Sequence, residues 1–219
     1  MINKCETEQK VAEFLLQIKA IKLQPSNPFT WASGWKSPVY CDNRITLSYP
    51  SIRTYIRQNL SALIQEEFGS VGLVAGVATA GIPQGVLVAQ DLGLPFAYVR
   101  TTPKDHGAGK LIEGEISAGQ RVIVVEDLIS TGKSSLQAVE ALREAGCEVA
   151  GLVAIFSYGF DTADENFKAA KCRYDTLCSY DALISYASEH NFIQPQDIEL
   201  LKKWREDPAA WGDLIQHSV

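Results

Sequence analysis

The five cysteines, at positions 5, 41, 147, 172 and 178, form no C-x-x-C pair and are odd in number. That speaks against a disulfide framework and a cysteine zinc site, and reads as reduced thiols in a cytoplasmic protein. A basic excess is also missing. Lysine and arginine total 20 against 26 acidic residues, a net charge of −6, so no broad cationic surface for nucleic acid is expected. No apolar run approaches the ~20 residues that span a bilayer. The start, Met1-Ile2-Asn3-Lys4-Cys5-Glu6, has no apolar signal-peptide core, so neither export nor membrane contact is expected. Repeats and low-complexity tracts are absent. What remains is ordinary globular composition, 46% hydrophobic and 21% charged over 219 residues. This suits a single domain, residues 1–219, with a sizeable core.

The densest signal is Arg121 to Ser134, Arg-Val-Ile-Val-Val-Glu-Asp-Leu-Ile-Ser-Thr-Gly-Lys-Ser. The β-branched run Val122 to Val125 predicts a strand buried on both faces of a parallel sheet. Leu136, Val139 and Leu142 at three-residue spacing, with Gly146 to end the run, predict a helix. Glu126 and Asp127 are expected where the strand runs out, and Ser130-Thr131-Gly132-Lys133-Ser134 forms the turn. Backbone amides of a tight turn that opens a helix make an anion site, favoured by the helix dipole. Serine and threonine hydroxyls add donors without bulk, and Gly132 permits close backbone approach. Adjacent carboxylates repel phosphate; they suit hydroxyls, a metal ion or a developing cation. A ribose 5-phosphate satisfies both halves. A P-loop would place its first glycine at position 127, which is Asp127. The bland alternative is an ordinary strand-turn-helix.

Along the rest of the chain, residues 7–22 read as an amphipathic helix with Val11, Phe14, Leu15, Ile18 and Ile21 on one face. Residues 29–44 are aromatic and turn-rich, as in a surface hairpin whose tryptophans pack down. Pro50 opens a helix over 51–68. Val71 to Ala78 is an apolar strand followed by Thr79-Ala80-Gly81, with Pro83 at the next helix start. A third strand, Pro95 to Val99, ends at Arg100. Residues 101–114 have almost no apolar side chains; by composition alone this is a surface loop. A loop of that length inside a compact α/β domain is more often a lid. Arg100, Lys104 and His106 would give it cations suited to a pyrophosphate leaving group. A fourth strand, Val149 to Ser157, a helix over 161–170, an edge-like strand from Tyr174 to Cys178, and helices near 181–190 and 195–206 complete the reading. Trp204, Pro208 and Trp211 are expected to pack a C-terminal arm. This alternation predicts an α/β fold with a doubly wound parallel sheet, its ligand loops (79–81, 100–114, 126–134) at the carboxyl ends of the strands.

Glu126-Asp127-Leu128-Ile129-Ser130-Thr131-Gly132-Lys133-Ser134 resembles the phosphoribosyl-diphosphate (PRPP) signature of type I phosphoribosyltransferases, in particular the orotate version. Arg100-x-x-x-Lys104-x-His106-Gly107 is similar to the family's mobile catalytic loop, and Ser33-Gly34-Trp35-Lys36-Ser37-Pro38 to its N-terminal hood. The likeness runs from about Phe29 to about Gly159. It implies a small hood built from about residues 1–48 plus the C-terminal arm. It also implies transfer of the 5-phosphoribosyl group of PRPP to orotate with Mg2+, giving orotidine 5′-monophosphate and pyrophosphate in UMP biosynthesis, by a cytoplasmic homodimer. On that basis Arg100, Lys104, His106 and Asp127 would be catalytic. They would bind PRPP together with Glu126, Leu128, Ile129, Ser130, Thr131, Gly132, Lys133 and Ser134. Ser130 would also meet orotate, and Mg2+ would be held mainly through PRPP. The chain departs from the family at Ala32, Ala80 and Thr101, where relatives carry lysine, with Lys36 or Arg44 as possible replacements at the hood. It also has no arginine in Ser157-Tyr158-Gly159-Phe160. The alternatives are a purine-type phosphoribosyltransferase and a PRPP-sensing regulator.

Overall fold

The computed structural model describes residues 3–31, 34–102 and 111–211. Lys104 and His106, and with them Ala32 and Ser33, lie outside the described residues.

The chain opens with helix α1 (Lys4–Gln17) and short strands β1 (Ile21–Leu23), β2 (Phe29–Thr30), β3 (Lys36–Ser37) and β4 (Val39–Cys41). A 3-10 turn, Asn43–Ser48, leads into α2 (Pro50–Glu67). The alternating part follows: β5 (Leu73–Val77), α3 (Gly81–Leu92), β6 (Phe96–Val99), β7 (Ile112–Glu113), β8 (Arg121–Ile129), α4 (Lys133–Glu144), β9 (Glu148–Ser157), α5 (Asp161–Ala169) and β10 (Tyr174–Ser179). Helices α6 (Tyr180–Glu189) and α7 (Asp197–Glu206) close the described chain.

Six strands form one sheet in the order β10-β9-β8-β5-β6-β7. All neighbours run parallel except β7, which is antiparallel to β6. Alternate side chains explain why the central strands read as unbroken apolar runs. Val74, Ile123, Val125, Val153 and Ile155 face a core shared with Val11 and Leu15 of α1 and with Ile56, Leu60 and Ile64 of α2. Leu73, Ala75, Val77, Val122, Val124, Leu152 and Ala154 face a second core with Val139 and Leu142 of α4 and Phe167 of α5. The sheet is thus covered on both faces, as the alternation predicts.

One expectation fails at the start. The helix predicted over 7–22 ends at Gln17, and Ile21 belongs to β1, paired with Cys41 of β4. Lys19 takes a left-handed φ of 58°, which turns the chain out of the helix. The apolar spacing carried through because Ile21 is buried in the same core from a strand.

The aromatic segment does fold as a hairpin: β2 pairs with β3, and the Gly34 amide donates to the Trp31 carbonyl at 2.9 Å with φ 90° at the glycine. Trp31 packs on Tyr158 after β9 (5.2 Å between centroids) and edge-on to Trp204 of α7 (5.7 Å). Trp204 also contacts Tyr158, Phe160 and Tyr180 at 5.4 to 5.8 Å and is fully buried. The packing expected of Trp204 thus joins the N-terminal hairpin and the C-terminal helix to the end of a central strand. Trp204→Ala, which empties this hub, is expected to lower the unfolding free energy by about 3–5 kcal/mol in urea titrations.

Candidate active site

Strand β8 is longer than its apolar run suggested. It continues through Glu126 and Asp127 to Ile129, paired with β9 as far as Ile129↔Ser157. Its pairing with β5 stops at Gly76↔Val125. The carboxylates therefore sit inside a strand whose β5 flank has opened, not after the strand's end. A cavity of about 450 Å3 forms at this opening, lined by Ala78, Thr79 and Ala80, by Glu126, Asp127 and Leu128, and by residues 130–135 with Gln137.

Two glycines set its walls. A Cβ on Gly81 would lie 2.5 Å from the Val125 carbonyl, so α3 can start directly against β8. Gly132 has φ 76°, and a Cβ there would lie 2.6 Å from the Phe167 ring. From Gly132 the chain enters α4 with no side-chain cap on the helix start. The first-turn amides of a helix lack intrahelical partners, so this end is built to receive an anion. Asn166 of α5 holds the turn from behind, its Nδ2 donating to the Thr131 carbonyl at 3.0 Å.

The carboxyl groups face the other end of the cavity. Glu126 is 5% exposed; the Ser135 hydroxyl donates to its Oε2 at 3.3 Å and the Asp127 amide to its Oε1 at 3.0 Å. Burial pushes its carboxyl well above the ordinary carboxylate range, and the adjacent Asp127 charge adds to this. Asp127 is also raised by burial, offset in part by the Glu126 carboxyl and the Arg44 guanidinium. Neither makes an ion pair with a described residue. Two crowded acids without an ion pair to any described residue favour hydroxyl donors or a positive centre between them.

The cavity gathers Glu126, Asp127, Leu128, Ser130, Thr131, Gly132, Lys133 and Ser134 of the expected residues. Ile129 is not brought there: its side chain is fully buried in the second core, and its carbonyl accepts the Tyr158 amide at 3.1 Å. Its side chain therefore lies in the core and not at the opening. Arg100 is not among the lining residues either; its guanidinium lies 3.7 Å from Glu113 of β7. Of the cations that could replace the hood lysine, Lys36 donates to Thr30 Oγ1 at 2.8 Å, and Arg44 forms a two-bond pair with Asp42 at 2.6 and 2.9 Å. The sequence reading missed Ser135, one step beyond the motif, and Asn43, whose Nδ2 donates to the Asp127 carbonyl at 2.7 Å. Ser135 was within reach of the helix pattern; Asn43 lies 84 positions away in sequence and had no signal of its own. A roomier cleft of about 590 Å3 lies between the β7 region and α4, lined by Leu111, Ile112, Ile116, Ala141 and the acids Glu115 and Glu144. Among its described lining residues there is no cation and no uncapped helix start, so the smaller cavity is the better candidate.

The Glu126 shift has a stability consequence with a definite sign. A carboxyl raised in the folded state stabilises fully below its unfolded value, about 4.3, and the contribution is lost as pH rises through the folded value. Glu126→Gln removes the burden of ionising this group. Thermal melts should therefore show the variant more stable than the parent near neutral pH, with the gap closing toward pH 4; a gap that does not depend on pH would refute this.

The phosphoribosyl transferase domain model matches residues 48–181, a span that contains the whole cavity. The chain is 59% identical over 204 residues to the orotate phosphoribosyltransferase of Phocaeicola vulgatus, and 60% identical over 204 residues to that of Bacteroides thetaiotaomicron. Both matches cover 93% of this chain and 96% of the relative. Among solved structures, it is similar to UMP synthase of Leishmania donovani (25% identity, TM-score 0.76), over 90% of this chain and 42% of that one. It is likewise similar to orotate phosphoribosyltransferase from Aeropyrum pernix (27% identity, TM-score 0.68), over 80% and 97%. A PRPP complex of the Mycobacterium tuberculosis orotate phosphoribosyltransferase matches at 25% identity and TM-score 0.63, over 81% and 98%. With an uncapped helix start and two adjacent acids in one cavity, and this identity over nearly all of its length, the chain belongs to the phosphoribosyltransferase family, among the orotate phosphoribosyltransferases.

Proposed function

We propose that the protein transfers the 5-phosphoribosyl group of PRPP to orotate, giving orotidine 5′-monophosphate and pyrophosphate for pyrimidine synthesis. The observation that carries this reading is the pairing, within one cavity, of an uncapped helix start with two adjacent acids, Glu126 buried and Asp127 half-buried. The turn from Ser130 to Ser134 would hold the 5′-phosphate through its amides and hydroxyls, with Lys133 adding charge; Ser130 would also meet orotate. Glu126 and Asp127 would accept the ribose hydroxyls. As the bond from C1 to pyrophosphate breaks, positive charge grows on the ribose, next to these acids. Preorganised groups of this kind are typically worth ~3 kcal/mol each in the barrier.

The opposite charge, on pyrophosphate, needs cations that this cavity lacks at Ala80. Arg100, Lys104 and His106 would supply them. Arg100 stands outside its own chain's cavity, which supports a homodimer in which the loop serves the neighbouring subunit. Mg2+ would be a ligand of PRPP: among the described residues no group of three histidines, cysteines or acids could hold an ion, while the acid pair lies within the same cavity. Bound there, it would neutralise diphosphate charge. The N-terminal hairpins and the C-terminal helix, joined at Trp31 and Trp204, would act as the hood over the base. Cytoplasmic residence fits five cysteines that are all free, and among the described residues no helix is long and apolar enough to cross a membrane.

Orotate absorbance should fall when purified protein receives both PRPP and Mg2+, with release of pyrophosphate. Preference for adenine or xanthine over orotate in competition would move the assignment to a purine enzyme; PRPP binding without turnover of any base would indicate a sensor. Lys104→Ala and His106→Ala should each lower kcat by about 100-fold while leaving the melting temperature unchanged. Wild-type rates in both variants would remove the loop from the chemistry.

A further inference from the structure

Asp127 stands on a piece of backbone that the sheet does not fully hold. Pairing with β5 ends at Val125, so the strand flank that faced β5 is open from Glu126 onward. Both main-chain polar groups of Asp127 take side-chain partners. Its amide donates to Glu126 Oε1 at 3.0 Å, and its carbonyl accepts Asn43 Nδ2 at 2.7 Å.

Asn43 is 1% exposed and is itself held on several sides. Its Oδ1 accepts the Cys41 thiol at 3.4 Å, which orients the amide so that Nδ2 points at Asp127. Its carbonyl accepts the Thr46 hydroxyl at 2.6 Å. Thr46 Oγ1 in turn accepts Gln84 Nε2 of α3 at 3.2 Å, buried. The 3-10 turn is thereby tied to β8 on one side and to the helix after the Ala78–Ala80 loop on the other. A buried amide with each polar atom engaged and its shortest bond on a site residue's backbone restricts that backbone far more than packing alone.

We propose that Asn43 is a positioning residue: through the Asp127 carbonyl it fixes the height and direction from which the Asp127 carboxylate meets the ribose of PRPP. The inference rests on Asp127 belonging to the PRPP site. It predicts an effect on PRPP, not on the base. It also predicts that the effect passes through the Asp127 carboxylate.

The test is a double-mutant cycle. Asn43→Ala and the volume-preserving Asn43→Leu are each made in the parent and in Asp127→Asn. PRPP affinity is read by calorimetry, with kcat/KM for PRPP and KM for orotate alongside. In the parent each Asn43 substitution should weaken PRPP binding and kcat/KM for PRPP by about 10-fold or more, with KM for orotate changed less than about 2-fold. In the Asp127→Asn background the same substitutions should add less than about 2-fold, because residues acting as one unit are not additive. If Asp127→Asn alone binds too weakly for calorimetry, kcat/KM supplies the cycle. Equal losses in both backgrounds, no loss in the parent, or two Asn43 variants that fail to fold by circular dichroism would each overturn the proposal and leave Asn43 a structural residue. A parent that binds PRPP but leaves orotate unchanged would remove the proposed reaction, while the calorimetric cycle would still decide the role of Asn43.

Discussion

Beyond Val125 the central strand β8 loses β5 as a neighbour, while β9 accompanies it to Ile129. A strand with one open flank has main-chain donors and acceptors that must be satisfied by something other than a ladder. That single mismatch in strand length makes the cavity and sets its contents. Glu126 and Asp127 are carried past the edge of β5, α3 starts against the vacated flank because Gly81 has no side chain, and Asn43 reaches in from the 3-10 turn. Had β5 run further, its ladder would fill the space where the acids meet a ligand.

The acids tolerate burial because each is hydrogen-bonded by neutral donors: Ser135 and the Asp127 amide on Glu126, and the local backbone on Asp127. None of these neutralises charge. Burial and their closeness make ionising both costly, so the pair favours hydroxyl donors or a positive centre in the cavity. The helix end of the cavity has the opposite character, with helix amides and Lys133 and no acid in the turn from Ser130 to Ser135.

The two chain ends meet at one aromatic hub. Trp31, Tyr158, Phe160, Tyr180 and Trp204 come from the hairpin, the loop after β9, the start of α6 and α7, and their rings interlock at 5 to 6 Å. The loop after β9 is thus built for packing, with Tyr158 buried to 2% exposure.

Local chemistry made much of this legible in sequence. Val122 to Val125, Val149 to Ser157 and Val71 to Ala78 read as buried strands, the last observed over Leu73–Val77, and the small-residue turn at Gly132 read as a helix start. The acid pair and the small-residue turn lie within nine residues of each other, so their union needed no tertiary information. Other features were decided in three dimensions. Whether Ile21 continued a helix or began a strand depended on Cys41 being available as its partner. Whether β8 stopped at Val125 or ran to Ile129 depended on β9, and along that length Ile129 is buried in the second core while Asp127 lines the cavity. The contact between Asn43 and Asp127 exists only because the fold brings a 3-10 turn to the open flank of a strand 84 positions away. Sequence determined the strand, the acid pair and the small-residue turn that follow one another in the motif, because propensity and hydrophobic period act over short range. The tertiary structure decided which backbone they stand on and what holds it, because hydrogen-bond partners across a sheet edge are chosen by geometry alone.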